Sequence, residues 1–195
     1  FLFCPAMIEA GRFTEGEIHF AKVDGEARKV EDTDFAKDAT FGYSYSNLAD
    51  FLEERSGGAV QASDCVSISL ADIRDGGVER VKSLLADVKD HRWVIVNATD
   101  YSDMDVVAEA AAELEEHGSV FVTRCGPSFV RPLAGQRGAR VLDADSLQID
   151  SSRTPHGLVV VGSHVGLTSQ QLAVLQERGG HEEFELHVPM LLDAE

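Results

Sequence analysis

Cys65-Val66-Ser67-Ile68-Ser69-Leu70 is a short apolar run, and a helical pattern at about 77–89 separates it from a second run, Trp93-Val94-Ile95-Val96-Asn97-Ala98. Between them Val78, Val81, Leu84, Leu85 and Val88 recur three and four residues apart, which puts one apolar stripe on a helix. The rhythm repeats: Met104, Val107, Ala108, Ala111 and Leu114 stripe a helix at about 103–117, and a strand is predicted over Val120–Thr123. Short strands alternating with helices of ten to fifteen residues are joined by right-handed crossovers, which makes neighbouring strands parallel. The expected fold is therefore α/β, a Rossmann-like, mainly parallel sheet with flanking helices over about residues 60–135.

Upstream, Phe1-Leu2-Phe3-Cys4-Pro5 reads as a strand already under way. Residues 17–30 alternate loosely and turn at Asp24-Gly25, the residue pair of a tight β-hairpin. An irregular aromatic stretch, Thr40-Phe41-Gly42-Tyr43-Ser44-Tyr45, leads to Ser46 as the expected N-cap of a helix that buries Leu48, Phe51 and Leu52 and ends at Gly57-Gly58. Downstream, residues 137–157 break the rhythm with Arg137-Gly138, Asp143, Asp145, Asp150 and Thr154-Pro155-His156-Gly157. The aliphatic run Leu158-Val159-Val160-Val161 then predicts a strand buried on both faces, with Gly162-Ser163-His164 as its turn and Thr168 with Gln171 as a capping box. Two domains are expected, residues 1–150 and 151–195. Both ends of the chain fall within strand-like stretches, so the chain reads as a piece of something larger.

The chain has 195 residues, enough for one good core and part of another, and a formal charge of −17. That excess of acid repels phosphate backbones and anionic lipid, so nucleic acid and membrane are poor partner choices. Three widely spaced cysteines, Cys4, Cys65 and Cys125, suggest neither a disulfide framework nor a zinc knuckle and suit a reducing cytoplasm. His181 and His187 cannot share a metal, because six residues of strand separate them by roughly 20 Å. No Walker lysine loop, Gly-x-Gly-x-x-Gly, His-Glu-x-x-His or Gly-x-Ser-x-Gly occurs, so no metal site and no catalytic nucleophile is assigned.

Open α/β sheets bind ligands outside the carboxyl ends of their strands. At those ends lie Asn97 and Asp100, read as free to bind hydroxyls while Thr99 or Ser102 caps the next helix, and Arg124, whose fork of donors suits a carboxylate. Gly11-Arg12 places a second guanidinium after a strand end. Gly162, Ser163 and His164 sit where exposed N–H groups open a helix, a place suited to phosphate. Each of these positions also has an ordinary structural use as a cap, a turn or a surface ion pair.

Taken in order, Cys4-Pro5-Ala6, Glu9-Ala10-Gly11-Arg12-Phe13-Thr14, Thr40-Phe41-Gly42-Tyr43-Ser44-Tyr45-Ser46-Asn47-Leu48, Asn97-Ala98-Thr99-Asp100, Thr123-Arg124 with Ser128-Phe129-Val130, and Val160-Val161-Gly162-Ser163-His164-Val165 resemble the four-carbon acid sugar kinase family. The resemblance implies a two-domain kinase that uses ATP and Mg²⁺ to phosphorylate a tetronate or 3-oxo-tetronate. It places Gly11, Arg12, Asn97, Asp100 and Arg124 at the sugar acid and Gly162, Ser163 and His164 at the nucleotide, with a homo-oligomer left open. The family's Asp-Asp-x-Thr-Gly and Ser-Thr-x-Arg-Gly segments and its later glycine-rich nucleotide loops are not in this chain, so the chain alone is expected to be inactive. The alternative is a stand-alone binding or effector-like module that keeps the substrate-domain fold without the catalysis.

Overall fold

The structure is a computed structural model that describes residues 1–136, 138, 143, 146–147, 156–163, 165–187 and 190. The chain divides into two compact units, Phe1–Arg140 and Val141–Glu195. In the first, a four-stranded sheet has the order β5-β6-β1-β7, with β1 Leu2–Cys4, β5 Val66–Ile68, β6 Val94–Val96 and β7 Thr123–Cys125. All three pairings are parallel, so the expected α/β sheet is present, with the first strand of the chain near its middle. The chain runs from β1 out to the far edge at β5, returns through β6, and crosses β1 to reach β7. That reversal beside β1 makes a topological switch point.

Period-two alternation decides which face each strand residue serves. Leu2, Cys4, Ile68, Val94 and Val96 pack with residues of α2 Leu70–Arg74, α3 Gly77–Ala86, α4 Tyr101–Glu116 and α5 Pro127–Leu133. Phe3 and Ile95 point the other way, onto Leu48, Ala49 and Leu52 of α1 Leu48–Ser56. Both faces are covered, which is why these strands read as continuous apolar runs. Burying each such aliphatic side chain contributes about 1.5–3 kcal/mol, so the frame around β1 and β6 is the stiff part of the unit.

The second sheet is antiparallel, β2 Arg12–Glu15, β3 Ile18–Val23 and β4 Glu26–Lys29, with the expected turn at Asp24-Gly25 between β3 and β4. Its inner face carries Arg12, Thr14, His19 and Ala21. The sequence reading missed β2. Its hydrogen bonds come from β3, and its four residues, Arg-Phe-Thr-Glu, are too few and too mixed to carry a period of their own.

Several expected boundaries move for local reasons. Asn47, not Ser46, caps α1, because its side chain accepts from the amides of Ala49 and Asp50, while Ser46 exchanges hydrogen bonds with Glu31. The predicted strand at Val120–Thr123 begins later, at Thr123, where pairing with Leu2 starts. The helix at 77–89 stops at Ala86, and a separate short helix, Leu70–Arg74, precedes it under a Ser69/Asp72 capping box.

In the second unit the strand expected from Leu158 is not formed. No strand occurs among the described residues of that unit, so 158–163 have no ladder to join, and Leu158 and Val160 are 88% and 81% exposed. The helix that follows, α6 Gly166–Arg178, starts two residues before Thr168, with Val165 at its N-cap position, so the Thr168 capping box is not used. His164, Arg137, Asp145, Asp150 and Thr154-Pro155 lie outside the described residues. No described helix is long and apolar enough to cross a membrane.

Candidate functional site

The loops leaving β1, β6 and β7 meet at the carboxyl edge of the parallel sheet. After β1 the chain makes a closed turn: Met7 and Arg12 exchange backbone hydrogen bonds of 3.0 and 2.9 Å around Ile8–Ala10. Gly11 closes it in a left-handed conformation, φ 68°, and a Cβ there would lie 2.7 Å from the Cβ of Lys22. Its glycine is thus required by backbone and by packing.

Three of these loops are tied through one carboxylate. Glu9 accepts hydrogen bonds from the Tyr101 hydroxyl at 2.5 Å and the Ser128 hydroxyl at 2.8 Å, and Ser128 Oγ in turn accepts the Ile8 N–H at 2.9 Å. The Tyr101 hydrogen bond, then the turn's own amide and Ser128, hold the Glu9 carboxyl below the ordinary carboxylate range. The Arg131 guanidinium lies 4.1 Å over the Tyr101 ring. Sequence reading did not assign this group, because its members are about 90 and 120 residues apart. Gly126 shows how close the loops come: a Cβ there would meet the Ala6 carbonyl at 2.4 Å and that of Pro5 at 2.6 Å.

Asn97 and Asp100 are not free. Asn97, 1% exposed, accepts the Glu17 N–H at 2.8 Å and donates to the Ile68 carbonyl at 2.9 Å and to Ser67 Oγ, so it fastens β5, β6 and the small sheet together. Asp100, rather than Thr99 or Ser102, is the N-cap of α4; its carboxylate accepts the Ser102 N–H at 2.9 Å. Buried Asp103 completes that capping box and takes both a 2.8 and a 2.9 Å bond from Arg74. Burial alone would raise its pKa, but Arg74 and the Thr99 and Asp100 amides outweigh it and lower it.

The two expected guanidiniums rest on aromatic rings. Arg12 lies 4.3 Å over Phe35, and Arg124 is 5.8 Å over Phe3. A row of rings lies between their surroundings: Phe3 stacks on Phe51 at 6.0 Å, and Phe51 meets Tyr43 edge-on at 5.5 Å, within electrostatic reach of Arg12. Beside Arg12, His19 Nδ1 and Thr14 Oγ1 are 3.0 Å apart; burial, and then the Arg12 charge, push the His19 pKa down to about 4. The antiparallel bridge between Thr14 and Ala98, 3.0 Å in both directions, hangs this inner face on the end of β6. The thiols of Cys4, Cys65 and Cys125 are all raised by burial, Cys4 to about 12, so none is a thiolate. In the second unit Gly162 and Ser163 are exposed just ahead of α6, and Ser163 Oγ accepts the Val165 N–H at 3.4 Å.

Residues 1–133 match the family of the sugar-binding N-terminal domain. This chain belongs to that family. The resemblance to the four-carbon acid sugar kinases therefore stands. Among solved structures, Haemophilus influenzae protein HI1011 shares 22% identity at a TM-score of 0.52, covering 70% of this chain and 29% of its own. A Salmonella typhimurium LT2 protein that carries the provisional name of a tRNA synthase shares 18% identity at a TM-score of 0.57, covering 94% of this chain and 39% of its own. Both likenesses are of fold. The chain spans less than two-fifths of the length of either structure. No curated protein matches it.

Proposed function

We propose that this chain supplies the sugar-acid-binding part of an ATP-dependent kinase that phosphorylates a four-carbon acid sugar, a tetronate or its 3-oxo form. The observation that carries the reading is the match of residues 1–133 to a sugar-binding N-terminal domain, in which the guanidiniums of Arg12 on β2 and Arg124 on β7 lie over aromatic rings with no carboxylate partner among the described residues. Residues 1–150 are assigned to the acid and 151–195 to the start of the nucleotide domain. Arg12 and Arg124 provide positive charge for the substrate carboxylate, while Gly11, Asn97 and Asp100 hold the loops that carry the site. Gly162 and Ser163, with His164, suit a phosphate, because the first-turn amides of α6 have no intrahelical partner. ATP bound there supplies the phosphoryl group, with Mg²⁺ neutralising its charge. Positioning dominates such a transfer, so a chain holding part of each site is expected to be silent alone.

The test uses the protein as its gene encodes it. ADP release is followed with a panel of tetronates and 3-oxo-tetronates, with the tetritols as uncharged controls. ATP-dependent phosphorylation of at least one acid is expected, with none from the 195-residue chain by itself. Acid-sugar binding without any transfer would favour the non-catalytic binding module, and turnover by the isolated chain would overturn the division of the site.

A further inference from the structure

β4 closes the small sheet, and the order β2-β3-β4 leaves its outer side without a neighbouring strand among the described residues. All four of its residues, Glu26-Ala27-Arg28-Lys29, are exposed. Which backbone groups it offers there follows from the turn. Asp24 and Gly25 both have positive φ, 54° and 84°, as a two-residue type I′ turn requires, and such a turn closes on a hydrogen-bonded pair, here Val23 with Glu26. Pairs then alternate along the ladder, so Arg28 also bonds inward to β3, while Ala27 and Lys29 turn their N–H and C=O groups outward. The far side of β3 agrees: the Lys22 N–H donates to the Gly11 carbonyl at 2.9 Å, away from its facing residue Ala27.

An edge of unpaired amides and carbonyls is a template for another strand, and charged side chains ordinarily discourage one. Here the order of the charges decides. A second copy of the same strand joins about a twofold axis normal to the sheet, which sets one residue opposite itself and keeps facing residues on the same side of the pleat. Centred on Glu26, Arg28 or Lys29, that axis sets like charges against each other. Centred on Ala27, it sets Glu26 opposite the partner's Arg28 and Arg28 opposite the partner's Glu26, with two small methyl groups at the axis. Lys29 then faces the partner's Gly25, which has no side chain. Glu26 and Arg28 already share one face, 3.7 Å apart within the strand, so the pairing builds a quartet of charges alternating in sign. Ala27 also carries outward backbone groups, so the two copies exchange N–H···O bonds at the axis itself.

We propose that β4 is a homodimerisation edge, on which a second copy of this chain continues the small sheet to six strands in the register that sets Ala27 opposite Ala27. Four residues a side make a weak association, formed at high concentration, and the free monomer keeps β4 as its looser edge.

Sedimentation velocity of the gene-encoded protein, from micromolar to near-millimolar concentration, tests this. The wild type should show a twofold association step that Ala27→Pro lacks, because proline removes the outward N–H and leaves the ladder to β3 intact. Glu26→Arg and Arg28→Glu should each weaken the step about tenfold or more, since two facing pairs turn from attraction to repulsion. The double swap Glu26→Arg/Arg28→Glu should restore it, and an equimolar mixture of the two single variants should form a mixed dimer. Circular dichroism checks folding, and if Ala27→Pro does not fold, the charge swaps at exposed positions decide. A wild type that stays monomeric throughout would overturn the edge. So would a folded Ala27→Pro protein that associates as the wild type does, or single swaps that leave the step unchanged. A double swap no better than the single ones would overturn the register.

Discussion

At the scale of single residues, His19 is the clearest case of a group whose chemistry is set by place. Only 7% exposed and facing the Arg12 charge, it stays neutral in the fold down to about pH 4, against an ordinary value of 6.5. The unfolded chain therefore binds more protons than the folded one between those values. Stability from this group is fully present above pH 6.5 and is lost as pH falls toward 4. The loss amounts to about 3 kcal/mol if the whole shift is realised. Urea unfolding of wild type and His19→Gln across that range should show the wild type losing this extra stability as pH drops, after the carboxylates common to both are subtracted. Parallel curves for the two proteins would mean that His19 protonates freely in the fold. Asn97 teaches the complementary point. Its position after β6 was legible, but its occupation by Glu17, Ser67 and Ile68 was not, because those partners approach only through the tertiary fold.

At the scale of elements, the β5–α3–β6–α4 alternation was legible because each helix carries its own 3.6-residue stripe and each of the two strands its own aliphatic run, whereas β7, Thr-Arg-Cys, has none and only touches the end of the run read as a strand. What the pattern could not supply was neighbour order. That β1 lies between β6 and β7 follows from packing, and with it the contact that makes Gly126 necessary. Gly126-Pro127 opens α5, with Gly126 at the N-cap position, but the stricter demand comes from the Pro5 and Ala6 carbonyls, about 120 residues earlier. Gly126→Ala should therefore destabilise the fold by about 1–3 kcal/mol, the usual cost of overpacking, although its φ of −73° suits any residue. Chemical denaturation measures it. A neutral substitution would show that the β1 and β7 loops can separate at little cost. The strand expected at Leu158 failed for the converse reason: an aliphatic run specifies burial, and burial as a strand needs adjacent strands to complete the ladder.

At the scale of the molecule, the first unit joins two sheets of unequal stiffness, and the candidate site lies where they meet. β1 and β6 have a strand on either side and helices over both faces, whereas β4 is an edge of the small sheet and all four of its residues are exposed. Opening β4 exposes little apolar surface; opening β6 requires the whole core to come apart. Amide hydrogen exchange should thus find the β6 amides protected to the level of global unfolding and those of β4 exchanging many times faster through local opening. Equal protection in the two strands would mean that the sheets unfold as one unit. The expected difference bears on the proposed function, because Arg12 stands on β2, the strand farthest from that loose edge. β2 is fixed at one end by the Met7–Arg12 closure and near the other by the Thr14–Ala98 bridge to the chain leaving β6. A side chain carried on a backbone held that way loses less freedom on meeting an anion than one on a loose strand, which is the preorganisation the proposed function would draw on.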